Sequence, residues 1–318
     1  MNLFDFNIIS KYRSEIMGVA TIMIIICHAP HYMPLSSWLS RSLSFGSVGV
    51  DVFLFLSGLG LCYSYDRKKV SVANWYRKRF FRILLPCLII QLLFVRNEGI
   101  VDFCKFFTGI SFWTNHRGFW FVDLLIVLYL AFPSLFRISK WLRYRGTVTL
   151  LLFCLIMYVL PNIREWDNAI MINICKVCQY IPSFIMGILV FPLVLGHKRI
   201  DLRCILPFCL LGVIAFIFLS HMFQWQLYPG VFYSCIIILI SSLIFEYVTM
   251  GLKTFAFCGK ISLESYLINV SFPSFLLRNG GGIIPNSWWF YPVAAGIGLV
   301  IAIIVNKIFQ AILSKLKW

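Results

Sequence analysis

Apolar residues in this chain gather into long unbroken blocks, separated by short polar or basic stretches. Ten blocks can be marked, roughly 15–33, 47–65, 82–96, 118–136, 147–162, 173–195, 204–221, 229–247, 255–277 and 288–313. A helix that crosses a bilayer needs about 20 residues. Ten of them use roughly 200 residues and leave about 118 for eleven tails and connections, about 11 each. The pattern predicts an all-α, polytopic transmembrane helix bundle of about ten spans. It forms a single domain over residues 1–318, with no room for a fused soluble domain. The third and fifth blocks are short, and Gly280-Gly281-Gly282 marks a turn between the last two.

Composition agrees. Of the 318 residues, 60% are hydrophobic and 13% charged, against about 45–50% and 25% in soluble domains. This excludes a disordered chain, a fibrous one and almost any soluble globular enzyme. The net charge of +16 would suggest a nucleic-acid partner in a soluble protein. Here the basic residues sit in short blocks between spans, as membrane orientation requires, so no nucleic acid is expected. Counted over alternate connections, 21 of the 28 Lys and Arg fall on one side together with both tails, and 7 on the other. The positive-inside rule then places the N- and C-termini in the cytoplasm of a multi-pass membrane protein. The start, Met1 to Asn7, has no basic region, and no small-residue cleavage site lies near Cys27-His28-Ala29, so the first block is expected to remain as a span. Eleven Cys, an odd number scattered through apolar segments, do not form a disulfide framework. Cys175-Lys176-Val177-Cys178 lacks a second pair or a nearby His and reads as a coincidence of composition.

Ionisable groups inside a bilayer cost at least about 2.5–3.5 kcal/mol and need a reason. His28 ends the first block and Asp51 opens the second, so both fall in the outer half of the membrane on adjacent antiparallel helices. A carboxylate on one imidazole nitrogen would fix the tautomer and leave the other nitrogen as a base. The alternative is a helix-end His facing outer water and an Asp acting as a local cap. Spacing alone does not choose. In the run Trp75 to Pro86, Arg79 and Arg82 are three apart and share one helix face at the cytoplasmic surface. Paired guanidinium groups suit a multiply phosphorylated ligand, while an orientation block beside anionic lipid explains most such runs. Asp123 lies at the outer start of the fourth block, where it also suits a helix N-terminus. Glu264 lies in the ninth near its cytoplasmic end, within reach of interfacial water. His31, His116, His197 and His221 fall at loop or interface positions and read as solvated.

Taken together, these segments resemble the acyltransferase 3 family of membrane O-acyltransferases. The likeness runs from Glu15-Ile16-Met17-Gly18 to Cys27-His28-Ala29, through Gly49-Val50-Asp51-Val52-Phe53-Leu54-Phe55-Leu56-Ser57-Gly58, to Tyr76-Arg77-Lys78-Arg79-Phe80-Phe81-Arg82-Ile83-Leu84-Leu85-Pro86. It continues in Phe119-Trp120-Phe121, Leu128 to Pro133, and Ile261-Ser262-Leu263-Glu264-Ser265-Tyr266-Leu267. The motifs keep their order over residues 15–269.

The resemblance implies transfer of an acyl group, commonly acetyl, from cytoplasmic acyl-CoA to a hydroxyl of a cell-surface glycan, a lipid-linked sugar or a similar acceptor. It implies the bacterial cytoplasmic membrane, acetyl-CoA as co-substrate rather than a resident cofactor, and no metal. His28 matches the essential first-helix histidine, Asp51 the acidic position of a GVD-type motif, and Arg79 and Arg82 an RxxR motif on the acyl-CoA side. Trp120, Asp123, Glu264 and Tyr266 are supporting candidates. Two departures stand out. Where the family often has a basic residue eleven positions before the histidine, this chain has Met17, and Arg13 is the candidate substitute, with an angular offset of about 60°. Asn269 stands where many members have His, so no acid–base role carries over to it. A transporter or flippase is the alternative, but it predicts paired inverted repeats with broken helices in matching halves, and the sequence shows no such symmetry.

Overall fold

The computed structural model describes residues 3–66, 71–115, 118–141, 144–159, 166–223, 228–279 and 287–315. A short strand, β1 (Leu3–Asp5), and one helical turn, α1 (Asn7–Lys11), lead into the first apolar block, α2 (Arg13–Cys27). Helix α3 (Ser37–Ser44) precedes the second block, α4 (Val48–Asp66), and the third is α5 (Val72–Phe94). Two short helices, α6 (Ile100–Phe107) and α7 (Ile110–Asn115), come before α8 (Trp120–Trp141). The fifth and sixth blocks are α9 (Tyr144–Val159) and α10 (Ala169–Leu195). Strand β2 (Arg199–Asp201) follows, then α11 (Leu202–Phe223) and α12 (Gly230–Tyr247). The ninth block is divided into α13 (Leu252–Lys260) and α14 (Ser262–Asn279), and the tenth is α15 (Phe290–Lys315). The Gly280–Gly282 turn, His116 and the basic residues at 67–69 lie outside the described residues.

All ten blocks are therefore helical, but among the described residues seven segments are long and apolar enough to cross a membrane unaided. Three of the roughly ten expected spans fall short of that measure, each with a local cause. Helix α5 opens with Arg77, Lys78, Arg79 and Arg82, α9 has 16 residues, and the ninth block breaks at Ile261. Helix α4 sits at the centre, apolar on every side, with most of its residues buried. Helix α11 is the opposite case, turning Phe208, Leu211, Ile214 and Phe218 outward, where lipid is the matching solvent.

The central helices touch through glycine. Gly58 of α4 faces the Phe184 carbonyl of α10, and Gly187 of α10 faces the Phe55 carbonyl of α4, with no room for a Cβ at either crossing. Close backbone approach of this kind is how helices associate where apolar burial supplies no drive. Replacing Gly187 with Val should cost about 1–3 kcal/mol through overpacking. The measurement is thermal unfolding in detergent. A melting temperature equal to that of the unsubstituted protein would show that α4 and α10 can separate freely.

Contacts between connections test the alternation predicted from charge. β1 of the N-terminal tail pairs antiparallel with β2, which follows the sixth block, with Leu3 opposite Asp201. Lys11 pairs with Glu246 at the end of α12 (2.8 Å), and Lys140 at the end of α8 pairs with Asp66 at the end of α4. At the other end, Tyr32 bonds Ser274 at 3.0 Å, and Arg278 donates to the Phe94 carbonyl at 2.9 Å. Even-numbered connections and the N-terminal tail thus share one end of the bundle, and odd-numbered connections share the other. Asn306 of α15 donates to Glu264 in the first turn of α14, so the last helix returns to the end that holds the N-terminus.

Candidate active site

Pro30 decides how α2 ends. It has no backbone N–H to continue the ladder, so α2 stops at Cys27 and Ala29–His31 form a single 3-10 turn. Side chains take over the last carbonyls. The His28 Nδ1 lies 2.7 Å from the Ile24 carbonyl oxygen. A carbonyl only accepts, so Nδ1 carries the proton, and in the neutral ring Nε2 is left with its lone pair. The next carbonyl, of Ile25, receives the Tyr291 hydroxyl of α15 at 2.6 Å. Tyr291 also lies 2.6 Å from the Asn269 side chain. One phenol proton cannot serve both oxygens. Turning the Asn269 amide so that its NH2 faces Tyr291 satisfies the whole chain, including a buried Nδ2 that otherwise has no partner. Tyr32, four residues past His28, stacks on Tyr291 with ring centroids 5.4 Å apart and interplanar angle 1°.

The expected His28–Asp51 pair is not formed. Asp51 is fully buried and accepts a 2.6 Å hydrogen bond from Ser183 of α10, while its second oxygen lies against Gly230 beside Tyr228. The physical reason is helix phase. Asp51 faces the α10 and α12 side of α4, and the imidazole is served by its own helix's carbonyl. His28 is oriented by backbone rather than by a carboxylate.

A second cluster lies one helix length away. Eleven residues separate His28 from Met17, about 16 Å of α2, and Met17 lines a cavity of about 160 Å³. Arg79 and Arg82 of α5, Ser57 of α4, Tyr129 of α8, and Ser262 and Tyr266 of α14 complete its polar lining. Arg13 donates to the Leu56 carbonyl at 3.1 Å and packs against Gly60. Arg13, Arg82 and Tyr129 are the ionisable groups within electrostatic reach of Arg79. Arg13 therefore brings a third positive charge to a site where Met17 supplies none. Arg79 and Arg82 face the cavity itself, where paired guanidinium groups suit phosphate, while Arg13 lies behind it on the Leu56 carbonyl.

The supporting candidates divide. Tyr266 belongs to the arginine cavity and meets Phe121 edge-on at 5.2 Å. Trp120 does not. Its ring lies 5.2 Å from Tyr180 and carries the Lys176 ammonium at 4.3 Å. Asp123 is buried beside Gly109 and Gly118, away from the arginine cavity's lining. Glu264, expected within reach of interfacial water, is instead buried and bonded by Asn306 at 2.9 Å. His31, His197 and His221 are exposed, as expected. Sequence reasoning missed Tyr291 and Ser183, which lie 266 residues from Ile25 and 132 from Asp51. Tyr32 and Pro30 were readable as neighbours of His28.

A family model described as an acyltransferase domain matches residues 18–307, most of the chain. The chain belongs to this acyltransferase family. No curated protein and no solved structure matches it. The match takes in His28, Asp51, Arg79, Arg82 and Tyr291 of this membrane acyltransferase and begins just after Arg13 and Met17.

Proposed function

We propose that this acyltransferase moves an acyl group, in the simplest case acetyl, from acyl-CoA held at the arginine end to an acceptor hydroxyl at the His28 end. The Nδ1–Ile24 hydrogen bond carries the reading, because it leaves Nε2 as a directed base. Arg79, Arg82 and Arg13 hold the phosphates of CoA in the cytoplasm, and the pantetheine arm reaches along the helices toward His28. Nε2 takes the acceptor's proton as the hydroxyl oxygen attacks the thioester carbonyl. The C–S bond then breaks, and the imidazolium returns the proton to the CoA thiolate. The new O-acyl ester leaves on the glycan, lipid-linked sugar or similar acceptor at the outer face. Asp51 supports the fold around α4 and α10 rather than the imidazole.

Purified protein in proteoliposomes should consume the thioester of labelled acetyl-CoA and deliver label to an acceptor. A transporter or flippase consumes none, and absence of thioester loss with every hydroxyl acceptor supplied would overturn the reading. Topology gives an independent check. Reporters fused to the N- and C-termini should both report the cytoplasm, because both tails lie at the arginine-rich end. A C-terminal reporter on the opposite face would overturn this orientation.

A further inference from the structure

Basic residues are scarce at the His28 end, with 7 of the 28 expected there, so two in one pocket are not explained by membrane orientation. Arg96, just past α5, and Arg278, near the end of α14, line one cavity of about 230 Å³ with Phe94, Phe275 and Asn279. No carboxylate lines it, and neither guanidinium is in an ion pair among the described residues. Arg278 is fixed in place by donating Nη2 to the Phe94 carbonyl at 2.9 Å, which leaves most of its five N–H groups unused. Asn279 donates Nδ2 to the Phe275 carbonyl at 3.1 Å, so its Oδ1 is oriented by that bond and can accept from a hydroxyl. Phe94 and Phe275 meet edge to face at 5.5 Å and supply an apolar wall for a sugar ring. The pocket lies at the same end of the bundle as the histidine. Ser274, four residues and about 6 Å before Arg278 on α14, bonds Tyr32, four residues past His28.

We propose that this pocket between the ends of α5 and α14 binds the oxyanion, carboxylate or phosphate, of a negatively charged saccharide acceptor, through Arg96 and Arg278. The inference rests on the acceptor lying at the His28 end. Guanidinium forks match both oxyanions, and anchoring one group of the acceptor leaves its hydroxyls free to approach Nε2.

The test has a readout that needs no transfer. The protein is placed in phosphatidylcholine nanodiscs and treated with phenylglyoxal, and adducts at Arg96 and Arg278 are followed by peptide mass spectrometry. Glucuronate or glucose 1-phosphate should slow modification of both arginines severalfold, while glucose should not. Arg278→Gln should remove the protection at Arg96. Equal modification with and without the anions overturns the site. Protection that comes only from replacing phosphatidylcholine with phosphatidylglycerol assigns the pocket to a lipid headgroup and also overturns the proposal. In transfer assays, Arg96→Gln should raise KM for an anionic oligosaccharide roughly tenfold or more, with KM for a neutral one and for acetyl-CoA unchanged. Arg96 makes no hydrogen bond among the described residues, so this variant is not confounded by folding. Saccharide protection without transfer to any acceptor would keep the oxyanion site and refute the acyl-transfer chemistry instead.

Discussion

Purified His28→Gln protein should bind acyl-CoA as tightly as the unsubstituted enzyme and transfer almost nothing. The two halves of this expectation come from different parts of the bundle. Nε2 is the free nitrogen of a ring whose other nitrogen is committed to the Ile24 carbonyl. An amide at position 28 can mimic the size and one hydrogen bond of the ring, but it cannot take a proton at working pH. Loss of a general base costs roughly 10²–10⁴-fold. Arg79 and Arg82 share a cavity with Met17, which lies about 16 Å from His28 along α2, so the donor site should not register the change. The measurement is acetyl transfer alongside acyl-CoA affinity on the same folded sample. Near-normal transfer would reduce His28 to a residue that caps its own helix. Asp51→Asn offers the contrast. Because Asp51 accepts from Ser183 and makes no hydrogen bond to His28, any loss of turnover should track loss of thermal stability. An unchanged melting temperature with a shifted pH profile would restore a link between the two groups.

At the opposite end, Arg79→Ala and Arg82→Ala should each weaken acyl-CoA binding. A charge-assisted hydrogen bond contributes about 1.5–3 kcal/mol, roughly 10- to 150-fold in Kd. Lys should restore part of this at either position, since an ammonium keeps the charge but cannot fork onto two oxygens. Arg13→Ala should add to the defect, because its guanidinium lies within electrostatic reach of Arg79. The readout is calorimetric affinity for acetyl-CoA in detergent. A correctly inserted double Ala variant with normal affinity would leave the arginines as an orientation block beside lipid.

What could be read in advance follows the range of the physics involved. Apolar blocks announced helices because bilayer crossing needs length and little else. The alternation of basic residues announced which connections share an end, and the Lys11–Glu246 pair and the β1–β2 ribbon repeat that division. Arg79 and Arg82 face one cavity because residues three apart share a helix face. The His28–Asp51 pairing failed for the complementary reason. Depth can be counted along a sequence, but rotation about the helix axis cannot, and the apolar sides of α4 look alike until Ser183 arrives from 132 residues away. The division of the ninth block at Ile261 was hidden because both halves are apolar. The true partner of the imidazole was local, the Ile24 carbonyl one turn back, left open because the His28 N–H turns to the Ile25 carbonyl.

Tyr291 has a consequence for biogenesis. It closes the Ile25 carbonyl, in the turn that carries His28, from 266 residues further along the chain. At about 5–20 residues per second, the ribosome delivers that hydroxyl roughly 10–50 s after the first span. Throughout that interval the nascent chain holds its histidine without the clamp that steadies it. Under the proposed mechanism, competence for chemistry arrives with the last helix, and a chain released before Tyr291 should enter the bilayer yet transfer nothing.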